Sequence, residues 1–277
     1  MAFAPGAAPL HEVMMSFRAT PSAWASMLAA ALILGVLLGY AVNLAREIAR
    51  PRLAGALEAE RVTALPGIAI IRGDAGRRRA VTDVDPFRLA YLSVSPAGNR
   101  AHSIVLTGDD PRIVAVIAAR IARAAADDAR ATLVLDLDLE RSPVAAQYHI
   151  RREPGLTDAI LGVRLWREVA LPIGASSGLS IDVVPSGVLR READAMHRTP
   201  ELDEFLGEHD FCIFVASGAR ALRRAAELMP HLPTILCVHE GVTSLGALAT
   251  WRGILQSLPL TAHGTVVWAG SMQDQNL

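Results

Sequence analysis

The chain has 277 residues, a formal net charge of -1 and 52% apolar residues, with aromatics at only 5%. That length suits one sizeable α/β domain plus accessory segments, with a core built on Ala, Val, Leu and Ile. The charge balance excludes broad nucleic-acid binding driven by phosphate neutralisation. The two cysteines, Cys212 and Cys237, cannot build a disulfide framework and suit a reducing compartment.

All 27 basic residues are arginine, so no lysine is present. Lysine-dependent chemistry is thereby closed to the chain, whether a phosphate-loop lysine, a Schiff base or a lysine general base. Residues 1–22 show no pattern and read as a loosely ordered tail. Residues 19–45 carry no charged side chain. A helix over 23–45 is long enough for roughly 30 Å of hydrocarbon and predicts one transmembrane helix. A cleavable signal would have a shorter apolar core with its charges in front. Here Arg46, Arg50 and Arg52 follow the span, against Arg18 before it. That bias predicts a single-pass inner-membrane protein with its larger part in the cytoplasm. Gly35 and Gly39 form a small-xxx-small pair suited to close packing between subunits.

Residues 46–84 read as a juxtamembrane helix, a short strand at 68–71 and a linker. Arg77, Arg78 and Arg79 there are read as a solvated linker, with contact to anionic lipid headgroups as the alternative. From 85 to 277 the chain reads as one α/β domain. Short, non-alternating apolar runs at 103–106, 132–135, 179–184, 211–215, 235–238 and 265–268 predict strands buried on both faces. Helices are predicted between them at 111–126, 157–161, 200–207, 219–229 and 244–257. This alternation predicts crossover units, a mostly parallel sheet flanked by helices, and ligands at the carboxyl ends of the strands.

The stretch from Ser103 to Ala125 frames a phosphate-binding loop: buried strand, short turn, long helix. Yet Asp109, Asp110, Pro111 and Arg112 stand where such a loop carries glycines and a lysine. Three further stretches carry a resemblance. They are "ILGVLLGYAVNLAREIARPRL" followed by "LPGIAII", then "LVLDLDLERSPVAAQYHIRREPGLTDAILG", then "LSIDVVPSG". Together they resemble the C-terminal half of bacterial tyrosine kinases of the polysaccharide co-polymerase class, membrane proteins that govern capsular and exopolysaccharide assembly. The resemblance runs from Leu32 to about Asp274. It implies a P-loop-NTPase-like domain after one transmembrane helix. It also implies homo-oligomers, contact with polymerase and export subunits of the membrane, and a periplasmic co-polymerase part absent from the chain or encoded separately.

Departures from that family's pattern decide what is expected of the site. Thr107, Gly108 and Pro111 match the start of its phosphate loop, but "RIVAVI" follows, with no Gly, Lys, Ser or Thr. Val and Ile cannot cradle phosphate, neutralise its oxygens or hold Mg²⁺. Asp136 and Asp138 match the second nucleotide motif. Val215 stands where the third motif has its carboxylate, with Asp210 kept at the strand entrance. Remnant nucleotide positions and no bound cofactor are therefore expected, with Asp136 and Asp138 capping the turn that follows them. The resemblance places a ring-forming motif on Asp85, Arg88 and Tyr91, which fall on one helical face and are expected to touch a neighbouring subunit. The chain has three tyrosines, Tyr40, Tyr91 and Tyr148, and no tyrosine-rich tail.

"GASSG" at 174–178 matches a nucleophile elbow, but a strand follows it, so a loop is expected. Ser217 in "FVASGA" is expected to cap a helix. His209, Cys212, Cys237 and His239 are metal-ligating types, but the cysteines sit inside apolar runs and are read as core. Three functions stay open: a catalytically silent, kinase-like scaffold in polysaccharide polymerisation and export; an active ATPase or autokinase with unorthodox residues; and a non-kinase enzyme reusing the cleft around Asp136, Asp138 and Ser217.

Overall fold

The computed structural model describes residues 21–48, 51–72, 85–94, 102–174, 180–190 and 197–270. The chain divides into two compact units, Met1–Arg50 and Pro51–Leu277. In the first, helix α1 (Pro21–Ile48) contains one stretch, Trp24–Ala45, long and apolar enough to cross a membrane. Leu28, Leu32, Leu34 and Leu38 stand exposed on it, and Gly35 and Gly39 have nothing packed against them.

The second unit is a three-layer α/β fold. In chain order it holds α2 (Ala56–Thr63), β1 (Gly67–Arg72), α3 (Pro86–Val94), β2 (His102–Gly108), α4 (Pro111–Asp127) and β3 (Thr132–Asp136). Then come α5 (Pro143–Gln147), α6 (Leu156–Ile160), α7 (Trp166–Val169), β4 (Leu171–Gly174) and β5 (Ser180–Val184). It closes with α8 (Pro200–Gly207), β6 (Phe211–Ser217), α9 (Ala219–Leu228), β7 (Pro233–His239), α10 (Leu245–Ser257) and β8 (Thr261–Ala269). The sheet order is β1-β8-β7-β2-β6-β3-β5-β4, parallel throughout except for β4 against β5. The expected mostly parallel sheet flanked by helices is what forms.

The apolar runs become central strands because both their faces are covered. Side chains alternate across the sheet: Leu133, Leu135 and Phe214 meet Leu222 of α9 on one side. Ile104, Leu106, Val134 and Ile213 meet Ile117 and Ile121 of α4 on the other. Helix α4 starts sharply because Asp110 caps it, accepting from the Arg112 N–H at 2.9 Å, and Pro111 supplies the first helical position.

Three short elements, α5, α7 and β4, and one boundary differ from the sequence expectation. β4 was not predicted: it is four residues long, carries Pro172 and lies at the sheet edge, where a missing N–H is tolerated. The domain also begins before Asp85. β1 pairs with β8 as the other edge strand, and α2 lies against α10. Leu53, 1% exposed, is tied by its N–H to Thr243 O (2.9 Å) and by its carbonyl to Gly241 N (2.8 Å). Residues 51–72 are thus part of the unit, since only β1 covers the outer edge of β8. The arginines 77–79 and most of "GASSG" lie outside the described residues.

A chain starting at Pro51 is expected to melt in one cooperative transition, whereas one starting at Asp85, lacking β1 and α2, is expected to aggregate or melt at least about 5 °C lower. Scanning calorimetry on both checks this, and equal melting would contradict it.

Candidate functional site

Gly108, Asp136 and Ser217 end three adjacent strands, β2, β3 and β6, so the sheet's carboxyl edge gathers the residues expected at the site. Each is occupied within the fold. The Thr107 hydroxyl donates to Ala216 O at 2.7 Å. A Cβ at Gly108 would lie 2.4 Å from Cys237 O and 3.0 Å from a Val114 methyl, so strand and helix packing alone demands glycine there. Only Asp109 and Asp110 separate β2 from α4. The positions after Pro111, where a phosphate loop would open, are helix instead, with Ile113, Val114 and Ala115 buried in the core.

Asp136 is fully buried. Its Oδ1 accepts from the Asp138 N–H (3.0 Å), and its Oδ2 accepts from the Val144 N–H (3.2 Å) and the Ser142 hydroxyl (3.3 Å). Burial pushes its carboxyl up to about 8, and the Asp138 carboxylate pushes the same way against the three donors. Asp138 is also buried. Its Oδ1 accepts from the N–H groups of Glu140 (3.2 Å) and Arg141 (3.1 Å), fixing the turn.

Asp138 Oδ2 takes two stronger partners: the Ser217 hydroxyl at 2.6 Å and Arg141 Nε at 2.8 Å. Arg141 Nη2 continues to Ser217 O at 2.7 Å. One guanidinium therefore clips the end of β6 to the loop after β3. Gly218, at φ 88°, admits it, since a Cβ there would lie 2.6 Å from Arg141 Nη2. A cleft of about 190 Å³ remains beside the clip, lined by Asp138, Glu140, Arg141, Ser217, Gly218 and Arg224 among others. Ser217 does not cap α9 as expected: Gly218 takes that position, and the Ser217 side chain turns inward to Asp138 because that buried carboxylate needs a donor. The Arg141 clip was not foreseen, and nothing in the spacing of "DLERSP" announces it.

The "GLTDAILG" stretch forms α6. Asp158 Oδ2 accepts from Gly155 N (3.0 Å), and Leu156 N donates to Pro185 O (2.7 Å). A Cβ at Gly155 would sit 2.4 Å from Gly187 N, so this glycine serves close backbone contact.

The expected subunit-contact set is not a common outward face. Asp85 accepts from Phe87 N at 3.0 Å at the start of α3, and Arg88 pairs with Asp128 at 2.7 Å. Tyr91, 3% exposed, meets the Phe211 ring edge-on at 5.2 Å; it belongs to the core because α3 turns that side toward the sheet. The four metal-ligating types do not converge either. Cys212 is level with Ser103 and Cys237 with Gly108 on β2, so they lie toward opposite ends of the sheet. Both thiols are buried, and burial pushes Cys212 up to about 12 and Cys237 higher than usual.

This geometry has solved counterparts. The chimerical protein CapA2B2 superposes with a TM-score of 0.63 at 16% identity, covering 77% of this chain and 98% of that one. The BceF tyrosine kinase domain gives 0.62 at 16% identity, with 79% and 99% covered. The kinase domain of the Escherichia coli tyrosine kinase ETK gives 0.57 at 16%, with 79% and 96% covered. The unit has the fold of a bacterial tyrosine-kinase domain. No family model matches the chain, and no curated protein matches it in sequence. Within that kinase fold, the strand-end carboxylates and the start of α4 are tied up by neighbours from the same chain.

Because the folded carboxyl of Asp136 titrates above its ordinary value of 3.8, its stabilising contribution is complete below about pH 4 and lost as pH rises through about 8. The melting temperature of Asp136→Asn minus that of the native chain is therefore expected to grow from pH 5 to pH 8. A difference that stays flat across this range in calorimetry would contradict the assignment.

Proposed function

We propose that this protein is a catalytically silent relative of the bacterial tyrosine kinases, acting as a scaffold or regulator in exopolysaccharide polymerisation and export. In this reading α1 anchors a single-pass inner-membrane protein whose α/β unit lies in the cytoplasm. Copies of the chain associate with one another and with polymerase and export subunits, and with a separate periplasmic co-polymerase chain.

The observation that carries the silent reading is the commitment of the strand-end carboxylates. Mg·ATP in a site of this type needs open backbone N–H groups, a cation on the β/γ oxygens, a hydroxyl and free carboxylates for Mg²⁺. Asp138 is held by Arg141 and Ser217, and Asp136 is buried and holds its proton near neutrality. A protonated, buried acid is a poor ligand for a hard cation. The amino terminus of α4 is capped by the carboxylate of Asp110, which repels a second anion there. The residues present do not fit Mg·ATP, and the shared fold supports a role through surfaces.

Millimolar Mg·ATP is expected to leave the melting temperature of the purified full chain unchanged within about 1 °C. Saturating a retained site about a hundredfold over its Kd would raise it by roughly 5–10 °C. A magnesium-dependent rise of that size would overturn the silent reading.

A further inference from the structure

We propose that His209 is a proton-sensitive latch: its doubly protonated ring ties the end of α8 to β5, and loss of one proton breaks one of the two ties. The ring is 6% exposed and has an acceptor at each nitrogen. Its Nδ1 lies 3.0 Å from Phe205 O, and its Nε2 lies 3.0 Å from Asp182 Oδ2. A backbone carbonyl and an ionised carboxylate accept hydrogen bonds and donate none. A neutral imidazole carries a single N–H, so either neutral tautomer turns a lone pair on one of these oxygens at hydrogen-bond distance. In a ring this buried, the unmatched nitrogen has no ready replacement from solvent, and leaving it unpaired is costly. Only the cation satisfies both acceptors, through two charge-assisted bonds.

The surroundings favour that cation. Phe205 stands in the last turn of α8, where unpaired carbonyls attract positive charge. Among the described residues, the ionisable groups around the ring come from four elements. β5 supplies Asp182; α8 supplies Glu204 and, at its cap, Glu208; α7 supplies Arg167, which is paired with Glu208. Ahead of β6 lies Asp210, whose Oδ2 accepts from Ala131 N at 3.1 Å. Burial pushes the Cys212 thiol up to about 12, so it adds no charge. Carboxylates therefore outnumber guanidinium groups beside the ring. Asp182 and Cys212 both stand level with Leu133, so the latch reaches from the start of β6 across β3 to β5. Phe205 in turn stacks on Trp166 of α7 at 5.7 Å and meets the His209 ring edge-on at 5.1 Å. The other end of α8 is held by its Thr199 cap, which accepts from Leu202 N at 3.3 Å. A helix of eight residues has little stability of its own, so its order depends on these end contacts.

Stability from the latch is present while the ring holds two protons and is lost as pH rises. Ring-nitrogen NMR of the full chain, labelled at histidine, is expected to show both His209 nitrogens protonated at about pH 6, with one proton lost on the way to about pH 9. The Asp182→Asn chain keeps a partner for either ring state, because an amide both donates and accepts. The melting temperature of the native chain minus that of Asp182→Asn is expected to fall by about 4 °C over this range. Asp136 also titrates there, but it does so in both chains and cancels. Over the same range, amide-exchange protection of α8 is expected to drop about tenfold more than that of α4 in the native chain, and equally in Asp182→Asn. A single protonated nitrogen at about pH 6 in the native chain overturns the latch. So does a melting difference that stays flat with pH, or an exchange change shared evenly by α8 and α4. None of these results bears on the silent reading of the strand ends, which rests on other residues.

Discussion

The bridge from Arg141 to Asp138 and the end of β6 determines what the carboxyl edge of this sheet can do. A carboxylate as buried as Asp138 requires a cation or several donors, and here it receives four: two backbone N–H groups, a hydroxyl and a guanidinium. Arginine suits the task because its planar fork spans the carboxylate and the Ser217 carbonyl at once. In a chain without lysine, the cation beside the strand-end acid is thus a structural fastener.

The same logic runs through the rest of the edge. Asp110 satisfies the start of α4, Thr107 satisfies Ala216, and Gly108 exists for the approach of Cys237 and Val114. These strand-end positions make their contacts within the same chain. The kinase fold persists because its core depends on alternating apolar strands and on α4 and α9, none of which requires a ligand.

Much of this was legible in the sequence. Short, non-alternating Val/Ile/Leu runs bounded by turns suit strands covered on both faces, so β2, β3, β6 and β7 could be placed from the sequence. Asp110-Pro111 marked the start of α4 by its capping chemistry. That helix follows directly on Pro111 could be read from the apolar Ile113 and Val114. What was hidden depended on long-range pairing. β1 looked like a linker strand because its partner β8 lies nearly two hundred residues later, at Gly67↔Thr265. Tyr91 shares a helical stripe with Asp85 and Arg88, but spacing cannot say that this side of α3 faces Phe211. The Arg141 clip joins residues 76 positions apart, and only the fold brings them together.

A double-mutant cycle on Arg141 and Asp138 tests the clip most directly, using Arg141→Ala, Asp138→Ala and both together in urea unfolding of the same chain. With one partner 3% exposed and the other 42%, a coupling of about 1–2 kcal/mol is expected. A coupling indistinguishable from zero would mean that the guanidinium does not hold the carboxylate, leaving Asp138 open to another cation and contradicting the account.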